Sequence, residues 1–215
     1  IAAIAASLKA VQANFDRINE TLDTPRDPMT NEVRQNMIAG YKAVDKFLAK
    51  GIDLFELGQS ARLLELNALV LCGPDEDKRA DFTAHIDQSK EQFYNQPGGS
   101  IGVLMEWLQN HRKANVWRRA AGAYIHILSR PQLFIEGNHR TGSLVMSYIL
   151  ARDGEPPFVL SVDNAKAYFD PSTLTKQSRR SGFDLLTKLP KLSRRFAKLL
   201  KENGRKRHLE VRRRR

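Results

Sequence analysis

With a single cysteine in 215 residues, Cys72, the chain has no intrachain disulfide, which agrees with a reducing, cytoplasmic compartment. Metal chemistry also lacks a framework, since His85, His111, His126 and His208 show no ligand spacing among themselves. No serine or cysteine sits in a nucleophile elbow. No uncharged apolar run is long enough to span a bilayer, so no transmembrane segment is expected. The opening Ile1-Ala2-Ala3-Ile4-Ala5-Ala6-Ser7 is apolar, but it is too short for a signal peptide and no basic segment leads it. Residue 1 is not methionine, so a trimmed or partial chain is expected. Repeats of fixed period are absent. Acidic residues are scarce near the C-terminus: from Asp184 onward thirteen Lys or Arg face three acidic residues. That segment carries +10 of the net +11, and the body is almost neutral.

What is present suits one sizeable soluble core, with 41% hydrophobic and 27% charged residues. Apolar residues recur at three- and four-residue steps, which predicts helices over residues 5–22, 31–50, 54–71 and a more polar 75–94. Further helices are expected over 101–111 and 115–129. Asn95-Gln96-Pro97-Gly98-Gly99 reads as a mobile loop. Residues 158–162 suit a short extended piece and 163–168 a helical turn, with Pro171 restarting the chain over 171–175. The expected class is all-α, divided into an N-terminal helical segment (1–50), a core (51–183) and a basic C-terminal helix and tail (184–215).

The most informative stretch is Gln132-Leu133-Phe134-Ile135-Glu136-Gly137-Asn138-His139-Arg140-Thr141-Gly142-Ser143, followed at once by the apolar Leu144-Val145-Met146-Ser147-Tyr148-Ile149-Leu150. Small residues, an amide and a basic pair ahead of a buried helix suit an anion-binding helix N-terminus, where backbone N–H groups lack partners and the dipole is positive. Gly137 lets a phosphate approach the backbone. Asn138 and the N–H groups that follow it, through Thr141 and Gly142, supply contacts, and Arg140 adds a charge-assisted one. Glu136 is placed to hold a magnesium ion shared with the phosphates. An ordinary Gly-Asn turn capping a core helix explains the same residues without a ligand.

The stretch resembles the loop of the Fic (Fic/Doc, or Fido) family, HxFx(D/E)GNGRxxR, which opens a helix within a helical domain. Phe134, Glu136, Gly137, Asn138 and Arg140 match in register, and the resemblance covers roughly residues 50 to 180. It implies ATP or another nucleotide with Mg2+ as ligand, AMP transfer to a hydroxyl side chain of a target protein, and an upstream flap, expected as a short β-hairpin at the 95–99 loop or its flanks. The nearest stretch to the family's inhibitory helix, (S/T)xxxE(G/N), is Ser60 to Asn67. Its serine-to-glutamate gap is one residue too long and Leu66 replaces the Gly or Asn, so it reads as core helix, with Glu65 the nearest candidate partner for Arg140.

The departures from the pattern matter as much. The catalytic histidine position holds Gln132, whose amide has no useful pKa and cannot act as a general base. His139 replaces the second loop glycine. It fills space beside the backbone, yet it offers a titratable group, either in a rearranged catalytic role or as a simple cap. Ser143 replaces the last arginine. Two functions follow: a degenerate Fic-type pseudoenzyme that keeps phosphate binding, or an active adenylyltransferase or Doc-like phosphotransferase using His139. The tail alternates Leu185, Leu189, Leu192, Phe196, Leu199 and Leu200 with basic residues, which suits a helix packed on its own domain. Its basic face suits an acidic partner, nucleic acid or a membrane surface.

Overall fold

The computed structural model of the chain describes residues 1–205 and 208, and no strand occurs among them. Helices follow in the order α1 (Ala2–Ala13), α2 (Phe15–Thr21), α3 (Asn31–Ala49), α4 (Ala61–Cys72), α5 (Glu76–Asp81) and α6 (Thr83–Asn95). Then come α7 (Ile101–Asn110), α8 (Val116–Leu128), α9 (Asn138–Arg152), α10 (Ala165–Gln177), α11 (Gly182–Leu186) and α12 (Lys188–Asn203). The fold is all-α, as the periodicity predicts. Capping residues set several starts. The Thr30 side chain accepts from the Val33 N–H, Asp75 from Asp77 and Lys78, and Asn115 from Arg118.

The central element is α9, whose residues 141 to 150 are all buried, as expected of a helix with neighbours on every side. It packs against α3, α4 and most extensively α8, while α12 covers the other side of α8. The close approach of α8 and α9 depends on Gly142, where a Cβ would meet the Tyr124 ring at 2.7 Å. One apolar cluster draws on all three sequence segments, from Ile4 to Leu200.

Four expectations require correction. Residues 5–22 form two helices, because the Asn14 side chain donates to the Ala10 carbonyl at 2.8 Å and turns the chain. The apolar stripe nonetheless survives the break, with Leu8, Val11, Phe15, Ile18 and Leu22 buried. Residues 75–94 break at Phe82, where α5 buries nothing that would hold a continuous helix in place. Pro171 does not restart the chain but lies inside α10, whose face bearing Tyr168, Pro171, Ser172 and Thr175 is buried; tertiary packing outweighs the lost N–H. No β-hairpin flap forms among the described residues. Residues 96–99 are a turn whose Gly98 carbonyl accepts from Arg180 at 2.9 Å.

The extended 158–160 piece is present, and side chains rather than a sheet satisfy its carbonyls. Tyr41 and Ser147 donate to Phe158 at 2.7 Å each, Asn164 to Val159 and Ser7 to Leu160. The apolar face of α12 is buried through Leu189, Leu192, Phe196, Leu199 and Leu200, leaving Lys191, Arg194, Arg195 and Lys198 exposed. Arg212 to Arg215 lie outside the described residues. Among the described residues, no helix is long and apolar enough to cross a membrane.

Phe196 is fully buried and meets Tyr124 edge-on at 4.8 Å. Phe196→Ala is expected to destabilise the fold by about 3–5 kcal/mol in urea unfolding. A loss below about 1 kcal/mol would show that α12 is not part of the core.

Candidate ligand site at the start of α9

The loop between α8 and α9 first completes α8. Each of the last four carbonyls of that helix has a partner: Ile125 accepts from Ser129, His126 from Arg180, Ile127 from the Leu133 N–H, and Leu128 from the Gln132 side chain at 3.0 Å. Gln132 is therefore a helix C-cap, and its own carbonyl accepts from Gln92 at 2.9 Å. That use explains an amide at this position, since it donates without carrying charge.

Gly137 takes the left-handed conformation, φ +72°, as N-cap of α9. A Cβ there would meet Asn67 Nδ2 at 2.9 Å and the side chains of Val70 and Leu71. The missing side chain thus admits α4, and the room expected for a phosphate is filled. Asn138 clamps the loop on itself: its Oδ1 accepts from the Phe134 N–H at 3.0 Å, and its Nδ2 donates to the Phe134 carbonyl at 2.7 Å. The Phe134 ring stacks on Phe93. Asn67 donates to the Glu136 carbonyl at 2.9 Å and to the buried Thr141 hydroxyl at 3.1 Å. Gly137, Asn138, Thr141 and Gly142 consequently form a rigid frame whose side-chain positions all face protein.

His139 and Arg140 face a cavity of about 310 Å³, which Arg26, Tyr41, Ser143 and Tyr168 also line. Neither Gln132 nor Glu136 lines it, so the structure does not bring Gln132 and His139 together. Arg26 carries only donors, so at 3.3 Å it makes His139 Nε2 the acceptor and leaves the ring proton on Nδ1. Nδ1–H then donates to Tyr124 at 3.1 Å, Tyr124 to Ser172 at 2.7 Å, and Ser172 to the Tyr168 carbonyl at 2.6 Å. Burial foremost, then the charge of Arg26, lowers the His139 pKa from 6.5 to about 3, so the imidazole is neutral.

Arg140 donates one N–H to the Val70 carbonyl, one of the orphan acceptors at the end of α4. Its other N–H groups meet no acceptor among the described residues, and burial lowers its pKa. Residues 61–72 form a core helix as expected, and Glu65 does not pair with Arg140 but holds Arg79 in a two-pronged contact at 2.8 and 3.0 Å. The Glu136 carboxylate is largely exposed, 3.8 Å from His85 Nε2. The cavity wall carries Asp27 and not Glu136, although the Glu136 charge still acts on Arg140 and raises its pKa against the larger effect of burial. No group of three His, Cys, Asp or Glu suited to a metal occurs among the described residues.

Sequence reasoning missed Arg26, Tyr124, Ser172 and Asn67, all brought in from distant positions. An arginine between two prolines in a helix break was the only usable signal for Arg26. The chain matches no family model, no curated protein and no solved structure.

His126 is also held neutral, with a pKa lowered to about 3 by burial. Unfolded, both imidazoles would titrate near 6.5. Between pH 6.5 and 3 the unfolded chain binds protons that the folded chain refuses, so stability is full above that window and falls as pH drops through it. Each histidine contributes up to about 1.4 kcal/mol per pH unit. His139→Gln is expected to remove one of the two contributions, and urea midpoints from pH 6.5 to 5 measure it. Equal slopes in the two proteins would refute a buried neutral His139.

Proposed function

We propose that the chain is a Fic-like protein that binds a phosphate-bearing ligand, nucleotides included, at the head of α9 and does not transfer AMP. The observation that carries this is Arg140, a partly buried guanidinium on a cavity wall, ion-paired to no carboxylate among the described residues and with N–H groups available. The register of Phe134, Glu136, Gly137, Asn138 and Arg140 with the Fic loop supports the family, as does the helical fold. The frame built by Asn67, Asn138 and Gly137 fixes the first turn of α9 and with it the place of Arg140 on the cavity wall.

The case against transfer is chemical. A target hydroxyl needs a base near neutral pH, and Gln132 offers a capping amide outside the cavity. His139 has the right ring, but Arg26 occupies its lone pair and burial opposes the proton. The alternative, His139 as base in AMP or phosphate transfer, requires Arg26 to leave. The exposed basic face of α12 is the proposed contact for an acidic partner or nucleic acid.

Charge-assisted hydrogen bonds contribute about 1.5–3 kcal/mol each. Arg140→Ala is therefore expected to weaken pyrophosphate or nucleotide binding about tenfold or more in calorimetry. Incubation with α-labelled and γ-labelled ATP is expected to label neither the protein nor a lysate. Equal affinity in wild type and Arg140→Ala would remove the anion site. Strong α-label transfer that disappears in His139→Ala would show that His139 is the base.

A further inference from the structure

The cavity beside His139 and Arg140 has walls that a polyphosphate does not need. Leu8, Met37, Phe158, Leu160 and Phe169 line it, and the first four are buried core side chains. Its volume of about 310 Å³ lies at the low end of the roughly 300–1,000 Å³ typical of ligand pockets. Charge within it is sparse. The Arg26 guanidinium is held by His139, by the Phe169 carbonyl at 3.1 Å and by Thr173 at 2.6 Å. Asp27 lies exposed at the rim, where it repels anionic groups beyond the one seated at Arg140. The Arg26 Nε–H has no partner but is buried, so among the described lining residues Arg140 is the cation whose unpartnered N–H groups are not buried, which matches a single anionic group. His139, neutral through burial and with its Nε2 taken by Arg26, adds shape to the wall and no charge.

We infer that the ligand is a small amphiphile with one anionic head, a carboxylate or phosphate monoester, seated at Arg140. Its apolar chain lies among α1, α3 and the 158–160 segment. This rests on the anion contact proposed above and narrows its chemistry. Burial of an apolar chain adds affinity by area, whereas ATP would set most of its charge against apolar walls, with the Arg26 guanidinium already held by three partners.

Calorimetry of the full chain with octyl phosphate, octanoate, octanol, inorganic phosphate and ATP tests it. Octyl phosphate and octanoate are expected to bind at least tenfold more tightly than octanol, inorganic phosphate or ATP. Hexyl phosphate, two methylenes shorter, should bind about fifteenfold more weakly than octyl phosphate. Arg140→Gln should lose at least tenfold for the charged amphiphiles and leave octanol unchanged. Val33→Trp, which fills the cavity from a half-buried position, should lose the alkyl ligands. Thermal melting checks its fold, and Met29→Trp is the second filling variant. If ATP or inorganic phosphate binds as tightly as octyl phosphate, the amphiphile is overturned while the Arg140 anion site stands. If octanol matches octyl phosphate and Arg140→Gln changes nothing, or if no ligand binds, the anion site itself is overturned.

Discussion

The contact of Tyr124 with Gly142 is the constraint on which the rest of the molecule depends. With no side chain at residue 142, α8 and α9 approach closely enough for the Tyr124 ring to lie on the α9 backbone. From there the ring also meets Phe196 of α12 at 4.8 Å and Tyr168 of α10 at 5.7 Å. Its hydroxyl reaches His139 and Ser172. One aromatic therefore joins four helices and orients the histidine at the cavity. A side chain at residue 142 would separate α8 from α9 and displace the loop between them.

The second organising theme is cationic side chains set on helix ends instead of carboxylates. Arg180 reaches the carbonyls of Gly98, His126, Ser129 and Pro131, and burial lowers its pKa to about 10. It closes the negative end of α8 and fixes the turn at residues 96–99. Arg140 does the same for α4 through Val70. Arg180 meets several carbonyls around it, whereas Arg140 meets one and lies on the wall of a cavity.

Much of the fold was legible in the sequence. Leu8, Val11, Phe15 and Ile18 announced a buried face, and the apolar run after Gly142 announced a core helix. Breaks were less legible where local and tertiary preferences conflict. Asn14 interrupts a periodic stripe because its amide competes for a backbone carbonyl, and Pro171 fails to interrupt α10 because its face is buried. The loop was recognisable as a helix start, but the roles within it were not. Gly137 and Asn138 read equally well as phosphate contacts and as framework, and only the positions of Asn67, Val70 and Phe134 assign them to the framework.

The sequence alone determined the helical class, the buried start of α9, the basic face of α12 and the lack of a base at Gln132. These follow from periodicity, composition and side-chain chemistry, which are local properties. The tertiary structure decided which groups meet. Arg26, from a break more than a hundred residues away, holds the His139 lone pair; Glu65 turns to Arg79; Glu136 lies 3.8 Å from His85. Such pairings depend on how helices pack, and close packing is set by contacts between residues distant in the chain, which no local pattern encodes.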